Sequence, residues 1–511
     1  MTTTALLSTA LLQTLPQSGD YIRILPEVVL SLFGILVMVL EPIIDEEKNQ
    51  KILGGIALTG ALAALAATWF MAQSPGVAFW NMIQVDGFSI FFHVLIIAIA
   101  AVVILSSYEY MAVQRIRAGE YYALILFGTV GMALMSSAVE LVLIFIALEI
   151  SSISTYILAG FRRREATSAE SSLKYFLLGS FATAFFLYGV ALMFGATGAT
   201  NIGQIAHILQ AAPIPLLAYV AVAFMFVGLG FKVAAAPFHI WTPDVYEGAP
   251  GPVVGLMSTA PKAAVFAVLL RIVFVIDIHA LFWVIWVSAA LSMTLGNIGA
   301  LVQSNVKRLL AYSSIAHAGY TLLAFAAAPV AGTSAAMFYL ASYAAMNLGA
   351  FAVVSHFANV GERYVSLEDY EGLGKSSPLL AATLTIFLLS LIGIPMTGGF
   401  FAKFYVFSAA IKANLIWLTI IGVLNSGIGA YYYLRIIVMM YMREPRKPIP
   451  VTPAPFALRL ALAACMAATL YLGLSPNRIL RYSQDSAQQL VQNIHSSAPA
   501  AASVTPAPAL P

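Results

Sequence analysis

The chain has 511 residues, of which 61% are hydrophobic and only 9% are charged, and its mean hydropathy is +0.91. Because an ordinary soluble domain has about 25% charged residues, this composition argues against a soluble protein and predicts a polytopic membrane protein. The net charge of +3 does not suggest nucleic acid as a partner, and the single cysteine, Cys465, excludes internal disulfides and cysteine-ligated metal or iron–sulfur sites.

Apolar runs separated by charged or Pro/Gly-rich breaks predict an all-α protein with about fourteen membrane-spanning helices, each about twenty residues long. The predicted spans are 24–43, 51–73, 85–107, 121–137, 139–161, 171–196, 214–245, 252–276, 280–302, 306–328, 334–359, 377–410, 414–441 and 454–475. The seventh and twelfth runs are longer than a span requires, and they contain Pro237 and Pro395. Excess length with a proline predicts two half-helices around a break, which a membrane protein tolerates where the backbone lines a cavity or is covered by protein.

The two broken runs occupy the fourth place in two successive sets of five helices. An odd number of helices in each set predicts two inverted repeats with ion sites at the breaks. The predicted organisation is an N-terminal extension at 1–23, three helices at 24–107, a first repeat at 121–276, a second repeat at 280–441, a last helix at 454–475 and an Ala/Pro-rich tail at 477–511.

Loop charges predict the orientation through the positive-inside rule. One side carries most of the basic residues, including Arg162, Arg163, Arg164, Lys307 and Arg308, whereas the other side carries only Arg23, Arg271, Lys412, Arg478 and Arg481. This asymmetry predicts that both termini lie outside.

Three lysines, Lys232, Lys262 and Lys403, fall inside predicted spans. A charge near the bilayer centre costs about 2.5 to 3.5 kcal/mol on insertion scales, so such residues are functional candidates. Glu149 lies near the middle of the fifth span and is expected to pair with Lys232, since each would favour the other's charged form. A pair whose separation changes can take up and release a proton.

Two structural interpretations compete with a proton relay. Glu149 and Lys232 could form a static ion pair that fixes helix packing, although such pairs stabilise poorly compared with apolar packing. Lys262 and Lys403 could extend to the membrane surface, although a lysine stem covers only a few ångströms.

Four further polar residues are candidates for the relay. Lys174 could serve it, reach the surface, or pair with Glu170 four residues earlier on the same helical face. His239 follows Lys232 by seven residues and His317 lies near Ser313 and Ser314; histidine titrates in the useful range, but both could equally be hydrogen-bonded packing residues. His93 is predicted to be an interface or loop residue.

Three strings carry a family resemblance: GLGFKVAAAPFHIWTPDVYEGAPGPV from Gly228 to Val253, NVKRLLAYSSIAHAGY from Asn305 to Tyr320, and LIGIPMTGGFFAKFYVF from Leu391 to Phe407. The chain resembles the antiporter-like membrane subunits of respiratory complex I from the fourth span to the fourteenth. Lysine at 403 separates it from a sister subunit that has glutamate there, and the short segment after the last span separates it from another that carries a long lateral helix.

The resemblance implies roles for individual residues. Glu149 and Lys232 would form the coupling pair of one half-channel, Lys262 would connect the halves, and Lys403 would serve the second half-channel. Polar positions along the central axis of the family match Glu170, Lys174, His239 and His317. Pro261, just before Lys262, departs from the pattern of the family and predicts a bend in the eighth span.

The resemblance also implies a function. The chain would translocate protons in a proton-translocating NADH:quinone oxidoreductase without redox chemistry of its own, while flavin, iron–sulfur clusters and quinone would belong to partner subunits. Its partners would be the lipid bilayer and other membrane subunits of that complex. Two alternatives share the same residues: a subunit of a multisubunit Na⁺/H⁺ antiporter, and a membrane scaffold in a hydrogenase-type complex.

Overall fold

The computed structural model describes residues 16–496 except 45, 115, 117, 212, 276–278, 328, 446–448, 450 and 451. These residues fold almost entirely into helices, with one two-stranded hairpin among them. Within the described part of the chain, ten helices are long and apolar enough to cross a membrane. Each of the fourteen predicted spans coincides with one helix or with a pair of helices split at a break; the number of actual membrane crossings stays a prediction.

The N-terminal region consists of a short helix and three long ones. The helices are α1 (Ser18–Arg23), α2 (Leu25–Leu40), α3 (Glu46–Ala72) and α4 (Gly87–Gln114), and the hairpin of β1 (Gly76–Ala78) and β2 (Ile83–Val85) joins α3 to α4. The two strands are antiparallel, with Gly76 opposite Val85. Neither the hairpin nor α1 was predicted, since both are too short for an apolar period.

The first predicted repeat contains seven helices, because its broken span forms two and a short surface helix is added. These are α5 (Gly119–Ser137), α6 (Leu141–Ala159), α7 (Ala166–Thr197), α8 (Ile202–Ala211), α9 (Leu216–Val233), α10 (Trp241–Gly248) and α11 (Gly251–Val275).

The second predicted repeat begins at α12 and ends at α18. Its helices are α12 (His279–Leu301), α13 (Val306–Phe325), α14 (Pro329–Ala358), α15 (Leu373–Ser376), α16 (Pro378–Ile392), α17 (Gly398–Lys412) and α18 (Ile416–Met442). Short 3-10 turns at Val360–Glu362 and Leu367–Tyr370 precede α15.

Both long runs break near their prolines, as predicted. Helix α9 ends at Val233 and is followed by Ala234, which has a left-handed backbone with φ of 61°, and α10 begins at Trp241. Helix α16 ends at Ile392 and is followed by Gly393 with φ of 96°, a conformation that glycine adopts without steric cost. Each break leaves carbonyl groups at a helix end without intrahelical partners, so polar side chains can bind there.

One backbone arrangement occurs in both sets of helices. Leu141 donates to the carbonyl of Thr200 at 2.9 Å, and Val306 donates to the carbonyl of Val365 at 2.8 Å. In each set this bridge joins the start of the second helix to the chain just after the third. The recurrence supports the predicted five-span repeat.

The C-terminal region differs from its prediction. After α19 (Phe456–Leu474), residues assigned to an Ala/Pro-rich tail form a further helix, α20 (Pro476–Ser496). The Ala- and Pro-rich residues lie only after this helix, and their part of the predicted tail, 497–511, lies outside the described residues, as do 1–15 of the predicted extension.

Candidate functional site

Lys232 lies in the last turn of α9, immediately before the break. Its side chain is buried, and its ammonium donates to the hydroxyl of Tyr175 at 3.1 Å. It also lies over two rings, 4.6 Å from the centroid of Tyr156 and 4.8 Å from that of Tyr175. Aromatic faces attract a cation, so these tyrosines hold Lys232 without neutralising its charge.

Glu149, the expected partner of Lys232, does not form an ion pair with it. The half-buried Glu149 lies on α6, and its Oε1 atom has no hydrogen-bond partner among the described residues. The described contacts of the Lys232 ammonium are the Tyr175 hydroxyl and the two aromatic faces. The arrangement therefore differs from the static ion pair considered above.

Lys262 lies inside α11, which continues through Pro261 as one helix. Its ammonium donates to the carbonyl oxygen of Ser314 at 3.0 Å and to Ser314 Oγ at 2.7 Å, and the Tyr343 hydroxyl also donates to this Oγ at 2.8 Å. The side chain points to α13 inside the protein, so it does not extend to the membrane surface. The predicted bend at Pro261 stays a prediction.

His317 connects helices α13, α14 and α18. Its Nδ1 lies 2.7 Å from the Tyr339 hydroxyl, and its Nε2 lies 3.2 Å from the Tyr433 hydroxyl, which also bonds to Ser313. A neutral imidazole carries one N–H and one free nitrogen, so His317 can accept a proton on one side and donate on the other.

Lys403 lies on α17, just after the second break. Its ammonium donates to the carbonyls of Leu391 at 3.0 Å and Ile392 at 2.8 Å, and to Ser426 Oγ at 2.8 Å. The two carbonyls belong to the end of α16, where the break leaves them available. Lys403 is buried, so it does not extend to the membrane surface either.

A chain of polar side chains continues from His317 towards Lys403. The rings of Tyr433 and Tyr432 lie 4.4 Å apart, and the Tyr432 hydroxyl donates to Asn297 Oδ1 at 2.9 Å. Asn297 Nδ2 donates to the Tyr320 hydroxyl at 3.4 Å, and the Lys403 ammonium lies 5.2 Å from the Tyr320 ring centroid. We call the set from Lys262 through Ser314, His317, Tyr433 and Tyr320 to Lys403 the central axis.

Lys174 and Glu170 belong to an ion-pair network at the surface, outside the central axis. Lys174 bonds to Glu170 at 2.6 Å and to Asp244 at 2.8 Å, and its side chain is 41% exposed. Arg308 bonds to Asp244 and to Glu247, both at 2.7 Å. The structure therefore favours the surface pairing of Lys174 over a position in the relay.

His239 lies in the break between α9 and α10 and is half-buried. Its Nδ1 has no hydrogen-bond partner among the residues that the structure describes. No hydrogen bond of the described side chains joins it to Lys232. The break therefore separates the two residues that helical spacing would have placed on one face.

Lys307 and Arg162 were predicted as loop charges but are buried. Both contact Glu362: Lys307 at 2.7 Å and Arg162 at 3.3 Å. The same carboxylate accepts from the backbone N–H of Gly251 at 2.7 Å and from the hydroxyl of Tyr110 at 2.9 Å. Burial alone would raise the pKa of Glu362, but the cations Lys307 and Arg162 hold it below its ordinary value. We call Glu362 and these four partners the Glu362 cluster.

A second buried cluster corrects two further predictions. Arg271, counted as an outer loop charge, is buried, bonds to Asp86 at 3.3 Å and donates to the carbonyl of Ser136. His93, predicted at an interface or in a loop, is fully buried, and its Nε2 lies 2.8 Å from Glu27 Oε1. These partners come from distant parts of the chain, so single-span patterns did not reveal them.

The residues that sequence reasoning missed are mostly tyrosines. Tyr175, Tyr320, Tyr339 and Tyr433 are buried and each bonds to a polar group. A buried tyrosine usually finds a partner for its hydroxyl. Tyrosines inside apolar spans were therefore an available signal for a polar axis.

Comparisons with known proteins agree with this architecture. Residues 138–429 match the family described as NADH:quinone oxidoreductase/Mrp antiporter, TM. The chain is 67% identical over 481 residues to NADH-quinone oxidoreductase subunit N 2 of Koribacter versatilis (strain Ellin345), covering 93% of this chain and 98% of that protein. It is 48% identical over 478 residues to NADH-quinone oxidoreductase subunit N 1 of Solibacter usitatus (strain Ellin6076), covering 92% and 98%.

A solved structure gives the same result. A chain of respiratory complex I from Thermus thermophilus with bound Aureothin aligns with a TM-score of 0.76 and 37% identity, covering 89% of this chain and 98% of that chain. Lys403 and the short segment after the last span had favoured one subunit type over its sisters, and the relatives confirm that choice. The chain is therefore an integral membrane protein that belongs to the NADH-quinone oxidoreductase subunit N family.

Proposed function

We propose that this chain is a proton-translocating membrane subunit of a NADH:quinone oxidoreductase and that protons pass through Lys232, Lys262 and Lys403. One observation carries the proposal: each of these lysines is buried, and none has a carboxylate within ion-pair distance in the described part of the chain. Burial disfavours a charge that has no counter-ion. Such an ammonium is suited to releasing its proton to a neighbouring acceptor.

Glu149 acts as the mobile partner of Lys232. When the carboxylate approaches, it favours the charged lysine, and when it withdraws, the lysine releases its proton. The arrangement described here, with Lys232 held by Tyr175 and Glu149 apart, corresponds to the withdrawn state. Redox energy from partner subunits drives the change in separation.

The central axis carries the proton from Lys262 to Lys403. Ser314 and Tyr433 bear hydroxyls, which both donate and accept hydrogen bonds, and His317 can exchange protons through its two nitrogens. The proton then reaches Lys403 beside Tyr320 and leaves towards the outer face. His239, in the break that follows Lys232, is a further candidate for the entry side, whereas the surface ion pairs of Lys174 and Glu170 leave both residues outside the path.

The relatives and the loop charges support the setting of the proposal. The chain works beside other membrane subunits of the complex, in the bacterial plasma membrane with both termini outside. Flavin, iron–sulfur clusters and quinone belong to partner subunits, and this chain supplies no redox group. Its contribution is the transfer path itself.

The test is proton pumping by the assembled enzyme with Lys403→Ala. The purified complex is reconstituted in liposomes, and protons moved per NADH oxidised are measured with a pH-sensitive dye. We expect the variant to pump fewer protons per NADH, whereas Lys412→Ala, on the exposed end of the same helix, pumps like the wild type. Wild-type stoichiometry in Lys403→Ala would contradict the proposal.

A Na⁺/H⁺ antiporter is the second candidate, because the matched family includes antiporters. A metal cation needs several oxygen ligands, whereas the axis presents ammonium groups, an imidazole and single hydroxyls. This donor set favours protons. Measuring pumping with and without Na⁺ distinguishes the two, since an antiporter requires the cation.

A hydrogenase-type scaffold is the remaining alternative. In that case the buried lysines are structural, so Lys→Met exchanges leave coupling intact. The pumping assay with Lys403→Ala therefore also distinguishes this scaffold interpretation from the proposal.

A further inference from the structure

A cavity of about 740 Å³ lies between the N-terminal helices and the C-terminal end of the chain. Its walls come from α3, α4, α14, α19 and α20, with Leu65, Phe91, Ala344, Ala468 and Tyr482 among the lining residues. The lining is almost entirely apolar. This volume is within the range of about 300 to 1,000 Å³ that is typical of small-ligand sites.

The cavity opens at the protein surface between helices that are long and apolar enough to cross a membrane. The lining residues Trp69 and Tyr482 are 69% and 40% exposed. An apolar cavity does not hold ordered water, and an empty one loses the dispersion contacts of its walls. Hydrocarbon from the bilayer is therefore the occupant that fits this lining.

Helix α20 places charge beside this apolar space. The Tyr482 hydroxyl donates to the carbonyl of Gly87 at 3.2 Å, and the backbone N–H of Gly87 donates to Gln489 Oε1 at 3.1 Å, so α20 lies across the start of α4. One face of α20 is buried and the other is exposed, as in a helix that lies along a membrane surface.

Two arginines flank the cavity on this helix. Arg478 and Arg481 are exposed and directly precede Ile479 and Tyr482, which line the cavity. Residues three apart lie on the same side of a helix. Neither arginine has an ion-pair partner among the residues that the structure describes. An apolar cavity beside two cations suits an anionic phospholipid, because an acyl chain can fill the cavity and the phosphate can contact the arginines.

We propose that this cavity binds one anionic phospholipid, with an acyl chain between α3, α4, α14 and α19 and the phosphate on Arg478 and Arg481. The lipid links α3 and α4 to α14 and α19 through a space that these helices do not fill themselves. The site is independent of the proton path, since none of its lining residues belongs to the central axis.

The first experiment measures phospholipid retained by the purified, assembled complex, using quantitative lipid mass spectrometry. Ala464→Trp/Ala468→Trp places two large side chains in the cavity, since both alanines line it from α19. We expect this variant to retain about one phospholipid fewer per complex. The control is Leu424→Trp, at an exposed site on α18, which retains the wild-type number; equal retention in all three proteins would overturn the proposal.

The second experiment tests the charge. Delipidated wild-type complex is titrated with micelles that contain phosphatidylglycerol or phosphatidylcholine, and its heat-denaturation temperature is recorded. Near a membrane surface each basic residue contributes about 1 kcal/mol to anionic-lipid binding. Arg478→Gln/Arg481→Gln should therefore weaken the phosphatidylglycerol response about tenfold or more, whereas Arg459→Gln, on another helix, should not.

The titration remains decisive where the tryptophan variant fails to assemble, because it includes the wild-type protein. Equal responses to the two lipids, or no response to either, would contradict an anionic-lipid site. Unchanged lipid retention in the tryptophan variant would also overturn the proposal, and a partner helix would then be the better occupant of the cavity.

Discussion

Lys262 and Lys307 are equally buried, with 2% and 1% of their surface exposed, but their surroundings differ. Lys307 contacts the carboxylate of Glu362 at 2.7 Å and two backbone carbonyls, of Glu247 and Ala249. Among the described residues, the Lys262 ammonium donates hydrogen bonds only to the hydroxyl and carbonyl of Ser314. In this part of the chain the first lysine therefore has a counter-ion that fixes its charge, and the second has none.

The comparison shows how one residue type serves two purposes in one fold. Removing one partner of a buried, hydrogen-bonded ion pair strongly destabilises the fold. Such a pair therefore suits a structural role. Burial without a counter-ion disfavours the charged form of a lysine, so such a lysine is suited to proton transfer. Burial alone therefore does not identify a relay residue; the partners do.

Glu362→Gln should have the largest effect on stability. It leaves Lys307 and Arg162 buried without their carboxylate, and breaking a buried pair costs about 3 to 5 kcal/mol. We expect a clearly lower heat-denaturation temperature for the purified complex. Glu368→Gln, at an exposed position in the next turn, is the control, and equal stability of the two variants would mean that the Glu362 cluster is not structural.

Acidification tests the same cluster without mutation. The pKa of Glu362 in the folded protein lies below its ordinary value of 4.5. The stabilisation is therefore present above about pH 4.5 and is lost as the pH falls through the folded-state pKa. Below pH 4.5 the wild type should lose stability more steeply than Glu362→Gln. If both proteins lost stability equally steeply, protonation of Glu362 would not be the cause of the acid sensitivity.

Lys262→Met should have the opposite signature. The exchange removes a buried charge without a counter-ion, so stability should stay constant or rise by up to about 3 kcal/mol. Proton pumping per NADH should nevertheless fall, because the central axis loses its first lysine. A variant that pumps normally, or that is strongly destabilised, would place Lys262 with Lys307 as a structural residue.

Tyr433→Phe should have a smaller effect on both properties. It removes the hydroxyl that bonds to Ser313 and His317, at a cost of about 1 kcal/mol. Pumping should slow but not stop, since Tyr339 still contacts His317. Tyr431→Phe, exposed two residues earlier on α18, should match the wild type, and a Tyr433→Phe variant that does the same would exclude this hydroxyl from the path.

Lys174→Gln should have the smallest effect. Its ion pairs lie at the surface, where solvent and salt screen them. We expect wild-type pumping and no measurable change in denaturation temperature. A pumping defect as large as that of Lys403→Ala would move Lys174 from the surface network into the proton path.

Much of the fold could be predicted from the sequence. Apolar run length placed the spans, and the excess length around Pro237 and Pro395 placed both breaks, because membrane thickness and proline geometry act locally. Burial of Lys232, Lys262 and Lys403 followed from their positions within these runs.

The partners could not be predicted in the same way. Glu362 contacts Lys307 across 55 residues, and its position in a short turn between helices gives no periodic signal. In place of an ion pair, Lys232 contacts Tyr156 on α6 and Tyr175 on α7, and patterns within single spans do not show that these side chains meet α9. Helix α20 was missed because it is polar and lies outside the apolar runs.

The most direct test of the central claim is whether Lys232 and Lys403 lie on one path. Protons pumped per NADH are measured in proteoliposomes for Lys232→Ala, Lys403→Ala and the double variant. A single path predicts that both single variants pump fewer protons per NADH than the wild type. It also predicts that the double variant pumps as many as the more impaired single variant. A continuous path would be contradicted by wild-type stoichiometry in either single variant. It would also be contradicted if the loss in the double variant equalled the sum of the losses in the two single variants.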